Sequence, residues 1–234
     1  MKLAIMQPYL FPYIGYFQLM NLADTFVVYD DVQYIKGGWI NRNNILVSGE
    51  RKLFNLSLKN DSTFSNINER FFDVAKFERE KIKLLKTISQ SYSKATYFKE
   101  AYSLIESILS NSEIQLSEFI IKSIVKINEY LQIDTAILKS SEIEFDKRLK
   151  AQERVINLCE NLKAQHYINP IGGIELYSKG KFQESGIILN FIKTNEIIYK
   201  QFSDNFISNL SIIDVMMFNS PETINKMLNQ YELV

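Results

Sequence analysis

An α/β protein is the fold this sequence predicts: an open, mostly parallel sheet with a helical subdomain inserted in the middle of the chain. Three observations predict it. Short apolar runs bounded by turn residues alternate with segments of helical period, which is the rhythm of βαβ units. Three amphipathic helical patterns follow one another between Val74 and Leu131 with no strand pattern among them. Polar and glycine-bearing clusters come directly after strand candidates, and in an open parallel sheet ligands bind outside the carboxyl ends of the strands. The expected division is an α/β ligand-binding domain built from residues 1–68 and 132–234, with the helical subdomain over 69–131.

Taken in order, Lys2 to Met6 is a short apolar strand candidate that breaks at Gln7-Pro8. Tyr9, Phe11, Tyr13, Tyr16 and Phe17 crowd the loop and helical run that follow, and Gly15 stands where the loop enters the helix. Thr25 to Tyr29 is a second strand, ending in the adjacent carboxylates Asp30 and Asp31. Asn44 to Leu58 reads as a hairpin around Ser48-Gly49-Glu50-Arg51, and Lys59 to Thr63 is a polar turn. Val74 to Ser89, Tyr97 to Leu109 and Leu116 to Leu131 are the three helices. Strand patterns return at Thr135 to Leu138 and Ile143 to Phe145, followed by a helix over Arg148 to Leu162. Tyr167-Ile168 is broken by Asn169-Pro170-Ile171-Gly172-Gly173. Gly186 to Phe191 has the continuous apolar character of a buried strand, and Leu210 to Phe218 and Pro221 to Leu228 are closing helices.

Composition narrows the function classes. Lysine plus arginine equal aspartate plus glutamate at 27 each, so no global field draws the chain to nucleic acid or anionic lipid. No run approaches the roughly 18 uncharged apolar residues of a membrane span, and the first residues lack the basic and long apolar regions of a secretory signal, so a cytoplasmic location is expected. One cysteine (Cys159, read as core) and one histidine (His166) cannot build the usual zinc site, and no metal ligands are assigned. A nucleotide with Mg2+ on paired carboxylates is the cofactor that composition leaves open.

Two stretches carry the candidate chemistry and read as two walls of one site. Gln7 offers a side-chain amide at a strand end, and Tyr9 and Tyr13 flank proline-defined bends where their rings can stack on a ligand. Between Asp30 and Arg42 the chain gathers Asp30 and Asp31, the amides of Gln33 and Asn41, Lys36, the Gly37-Gly38 turn, Trp39 and Arg42. Paired acids can take a proton, a glycine turn lets a ligand approach the backbone, and arginine clamps phosphate or carboxylate with two hydrogen bonds. His166 precedes the turn carrying Asn169, Gly172 and Gly173, which makes it a third candidate base. Tyr199-Lys200-Gln201 and Ser211 to Asp214 add later polar candidates.

At QPYLFPYIGYFQL, DDVQYIKGGWINRN, NPIGGIELY, YKQF and LSIIDVMMFNS the chain resembles the WbqC-like family over essentially its full length. The resemblance implies work in bacterial O-antigen and other surface-polysaccharide synthesis, with transfer of an acyl or aminoacyl group, such as glycyl, to an amino sugar. The opening of the chain is also similar to the nucleotidylyltransferase fold, with Tyr13 and Tyr16 where that fold has its signature histidines. Tyrosine supplies no imidazolium, so adenylyl transfer by that route is not expected.

These readings converge on an enzyme that binds a nucleotide-linked amino sugar over the strand ends. Asp30, Asp31 or His166 would take the proton of the acceptor amine, Lys36 and Arg42 would hold phosphate, and the two glycine turns would present backbone N–H groups. An ATP-dependent ligase forming an acyl-adenylate in the same pocket is the first alternative. A non-catalytic scaffold of a polysaccharide-making complex is the second.

Overall fold

A computed structural model describes residues 1–234. Its elements are β1 (Lys2–Met6), α1 (Ile14–Leu22), β2 (Thr25–Val28), β3 (Arg42–Val47), β4 (Glu50–Asn55), α2 (Val74–Tyr92), α3 (Phe98–Leu109), α4 (Leu116–Leu131) and β5 (Ala136–Lys139). There follow α5 (Ala151–Asn161), β6 (His166–Pro170), α6 (Lys179–Glu184), β7 (Ile188–Thr194), α7 (Ile212–Phe218), α8 (Pro221–Met227) and β8 (Tyr231–Leu233). One sheet runs β5-β2-β1-β6-β7-β8, with every neighbouring pair parallel except the β7–β8 edge. β3 and β4 form a separate antiparallel hairpin.

Side-chain alternation along the central strands divides the core. Ala4, Phe26 and Val28 face a 44-residue cluster that includes α1, all three helices α2 to α4, and α7 and α8. Leu3, Ile5 and Val27 face a 12-residue cluster under α5 and α6. Because both faces are covered, β1 and β2 are apolar on both sides, and α1 is buried from Ile14 through Met20. α1 and α5 cover opposite faces, so the order reverses between β1 and β6, where loops leave the carboxyl ends in opposite directions. No helix is long and apolar enough to cross a membrane.

The structure departs from one local expectation and adds two short elements. Ile143 to Phe145 is no strand, because Ser140–Glu142 turns into a 3-10 helix whose hydroxyls bond the end of β2. α6 has a single buried apolar residue, Phe182, which is too little for a sequence period. β8 is three residues long and completes the sheet by antiparallel pairing of Tyr231 with Thr194.

The 44-residue core also holds a carboxylate. Asp214, fully buried in the first turn of α7, accepts hydrogen bonds from Tyr92 Oη (2.8 Å), Tyr199 Oη (2.6 Å) and Gln201 Nε2 (2.8 Å). The Tyr92 oxygen in turn accepts from the Leu46 amide at 2.7 Å, tying β3 to α2 and α7. Burial pushes the Asp214 carboxyl above its ordinary range, against the three donors that favour its charge.

Candidate functional site

The acidic pair at the end of β2 is built into the scaffold. Asp30 is buried and accepts from the Ser141 amide (3.0 Å) and hydroxyl (2.8 Å). The Ser140 hydroxyl lies 3.1 Å from Asp30 Oδ1 and 2.5 Å from Asp31 Oδ1. Asp31 pairs with Arg154 of α5 at 2.8 Å, and that guanidinium sits between the Tyr29 and Phe145 rings. Only Asp31 Oδ2 lacks a hydrogen-bond partner, and Lys147 stands 3.7 Å from it. With three of four oxygens spent and two cations alongside, the pair does not fit Mg2+, which needs near-octahedral oxygen ligation.

Beyond Asp31 the chain pairs with a segment far along the sequence. Asn68 donates to the Asp30 carbonyl, Ile67 to Val32, and Tyr34 to Ser65, with Gln33 bridged to Asn66. This pairing, together with the β3–β4 hairpin, opens a cleft of about 770 Å³. Gln33, Lys36, Gly37, Asn41 and Arg42, five of the residues singled out in the sequence, line it. Lys59, Arg70 and Lys76 bring its cations to five, against the single carboxylate of Asp61. Lys76 is paired with Asp73 at 2.8 Å, whereas Lys36, Arg42, Lys59 and Arg70 form no ion pair.

Arg70 is the unusual member. It is only 8% exposed, stacks over the Tyr34 ring at 4.8 Å, donates from Nη1 to the Ser62 carbonyl, and leaves Nε without a partner. Buried charges are ordinarily paired. Sequence reasoning missed Arg70, Lys59, Asp61 and Lys76, because only the long-range pairing of residues 30–34 with 65–68 brings them to Lys36 and Arg42.

The loop between is held by its own arginine. Gly37 has φ +82°, a conformation that suits glycine, and Arg42 donates from Nε to the Gly38 carbonyl (2.8 Å) and from Nη2 to that of Gly37. Arg42 also lies 5.7 Å from the Trp39 ring. Asn41 accepts from Tyr34 Oη and donates to the Leu56 carbonyl, so its amide is a stitch in the wall. On the other side of this loop, Trp39, Tyr9 and Tyr13 line a second cavity of about 300 Å³ with Pro12, Asn43 and Asn209. Burial raises both tyrosine hydroxyls above the ordinary phenol value, so they are uncharged at neutral pH.

The remaining candidates lie apart from both cavities. Gln7 sits half-buried at the end of β1, its carbonyl accepting from Tyr16 Oη. His166 opens β6 and is paired with Lys2 at the amino end of the sheet. Its strand carries the chain about 13 Å before Pro170 at ~3.3 Å per residue. Closeness in sequence to the glycine turn therefore placed His166 on the wrong rim, and it cannot share a site with Asp30 or Asp31.

Asn169 is buried and satisfied by Tyr167 Oη and the Pro170 carbonyl, so it too is structural in geometry. A Cβ on Gly173 would stand 1.9 Å from Asn169 Nδ2, whereas one on Gly172 would meet nothing within 4 Å. Gly173→Ala is accordingly expected to lower stability by about 1–3 kcal/mol, the usual cost of overpacking. Gly172→Ala should stay within about 0.5 kcal/mol of wild type in the same thermal unfolding measurement.

Comparison with known proteins adds a family and one relative. The model of the WbqC-like protein family matches residues 7–226. The uncharacterized protein Rv1507c of Mycobacterium tuberculosis is 28% identical over 221 residues, covering 93% of each chain. No solved structure matches.

Proposed function

The chain belongs to the WbqC-like protein family, and from that premise we propose that it is an enzyme of bacterial surface-polysaccharide synthesis acting on a nucleotide-linked amino sugar. The diphosphate lies in the cleft of Lys36, Arg42, Lys59 and Arg70, and the sugar amine receives an acyl or aminoacyl group. The observation that carries this reading is Arg70, a buried guanidinium with no carboxylate partner, facing a cleft with three more unpaired cations. A guanidinium fork matches phosphate oxygens, and a diphosphate brings enough charge to answer several cations at once.

The chemistry follows from which groups are free. Asp30 and Asp31 are spent on Ser140, Ser141 and Arg154, so the proton of the acceptor amine passes directly to the leaving group of the donor. The amine nitrogen attacks the carbonyl carbon of an activated ester or thioester, forming the C–N bond. The C–O or C–S bond of the donor breaks, and its leaving oxygen or sulfur takes the proton that the amine releases.

Thermal shift with UDP, ADP, ATP with Mg2+ and nucleotide sugars tests the reading. A ligand bound at about a hundred times its Kd should add roughly 2.7 kcal/mol of stability. The effect should weaken with added salt, because the cleft is open to solvent. Lys59→Ala should lower the affinity for nucleotide sugar. A response to ATP alone would move the assignment to carboxylate activation. Silence across the whole panel would overturn the reading in favour of a scaffold.

A further inference from the structure

The cavity beside the cleft points to a second element of recognition. Two non-glycine residues with left-handed backbone stand at it: Phe11 (φ 44°) in the loop that forms one wall, and Asn209 (φ 55°) in the other. A bulky residue in that conformation persists only where its surroundings over-determine it. Here they do: the Phe11 carbonyl accepts from Asn43 Nδ2 at 2.8 Å and from Ser211 Oγ at 2.7 Å, and the Ile212 amide donates to the Pro12 carbonyl. The segment after Asn209 is thus stitched to the aromatic loop, and the pocket is rigid before any ligand arrives.

What the pocket presents is equally specific. Trp39 is 46% exposed and Tyr13 36% exposed, both large rings left open to the cavity they line. No charged side chain is among the six lining residues. The Asn43 side chain is consumed by the Leu10 and Phe11 carbonyls and the Asn44 amide, and the Tyr13 hydroxyl is turned to Thr194, which leaves aromatic faces, the Tyr9 hydroxyl and the Asn209 amide for a ligand. Uncharged, face-rich and sparsely polar walls suit a neutral ring with apolar C–H faces and hydroxyls at its edge.

We infer that this pocket is the subsite for the pyranose ring of the ligand, stacked on Trp39 and Tyr13, with the adjoining phosphate crossing to Arg42. The one loop that supplies Trp39 to the pocket supplies Arg42 to the cleft, and the guanidinium stands 5.7 Å from the centre of the Trp39 ring. The inference rests on the diphosphate reading of the cleft for the direction of the ligand.

Trp39 is the chain's only tryptophan, so its emission reports on this pocket alone. Calorimetry with UDP and with UDP-N-acetylglucosamine should show that Trp39→Ala weakens the sugar nucleotide by about tenfold and leaves UDP unchanged. UDP-N-acetylglucosamine should shift Trp39 emission in wild type. Asn209→Gly, which keeps the left-handed backbone, should shrink the affinity gap between the two ligands. If Trp39→Ala weakens both ligands equally, or neither, the subsite is overturned while the cleft stands. If UDP fails to bind wild type, the cleft reading falls instead. The pocket is then decided by free N-acetylglucosamine at high concentration: a saturable change in Trp39 emission upholds it, and no change overturns it.

Discussion

Asp214→Ala is expected to lower stability by on the order of 3 kcal/mol, because it leaves three buried donors without an acceptor at a cost of about 1 kcal/mol or more each. For a chain of this size that is roughly a 6–12 °C drop in Tm. The three donors come from two segments: Tyr92 ends α2, and Tyr199 and Gln201 lie in the long connection before α7. One carboxylate therefore holds elements that share few other polar contacts. Asp214→Asn should cost less, since its carbonyl still accepts while its NH2 opposes one donor. Thermal unfolding of both variants checks the order; a drop for Asp214→Ala no larger than for an exposed substitution would show that the network is solvated.

The same residue gives a pH signature with a definite sign. Burial raises the folded-state pKa of Asp214 above its unfolded value. Stability from the protonated carboxyl is then fully present below the unfolded pKa, and it is lost as pH rises through the raised folded value. Asparagine has no such loss. The stability deficit of Asp214→Asn relative to wild type should therefore be largest in acid and shrink as pH rises, measured by denaturant unfolding at several pH values. A deficit that grows with pH would mean the three hydrogen bonds outweigh burial.

How much of this was legible in the sequence depends on the range of the interaction. β1, β2 and the Val74 to Leu131 helices were visible because their burial is written in local period: both faces covered for the strands, one stripe for the helices. The open parallel sheet followed from that rhythm. The Lys36 to Arg42 loop was legible because its residue types crowd within a few positions. Arg70 was not, since nothing around Glu69-Arg70-Phe71 distinguishes a cleft arginine from a surface one; the Gln33–Asn66 bridge makes the difference. Asp30 and Asp31 looked available because Ser140, Ser141 and Arg154 lie more than a hundred residues on. His166 misled in the opposite way, as five residues of extended chain carry it to the far rim of the sheet.

Arg70→Ala should reduce affinity for a nucleotide sugar by about a hundredfold, the value of a well-placed charge-assisted hydrogen bond. Its effect on the free protein should be quite different. Wild type buries a guanidinium that cannot deprotonate and has no counter-ion, so removing it relieves a desolvation cost while losing one bond to Ser62 and the stack on Tyr34. Those terms oppose each other, and Tm without ligand should change little or rise. Arg70→Lys keeps the charge but not the planar fork, so its affinity should fall between the two. Binding sites hold such strained charges at the expense of stability, and the separation of the two readouts is the diagnostic. If Arg70→Ala instead lowers Tm and leaves nucleotide affinity intact, the residue is a fastener for the segment from Ser57 to Arg70, and the ligand must be held elsewhere.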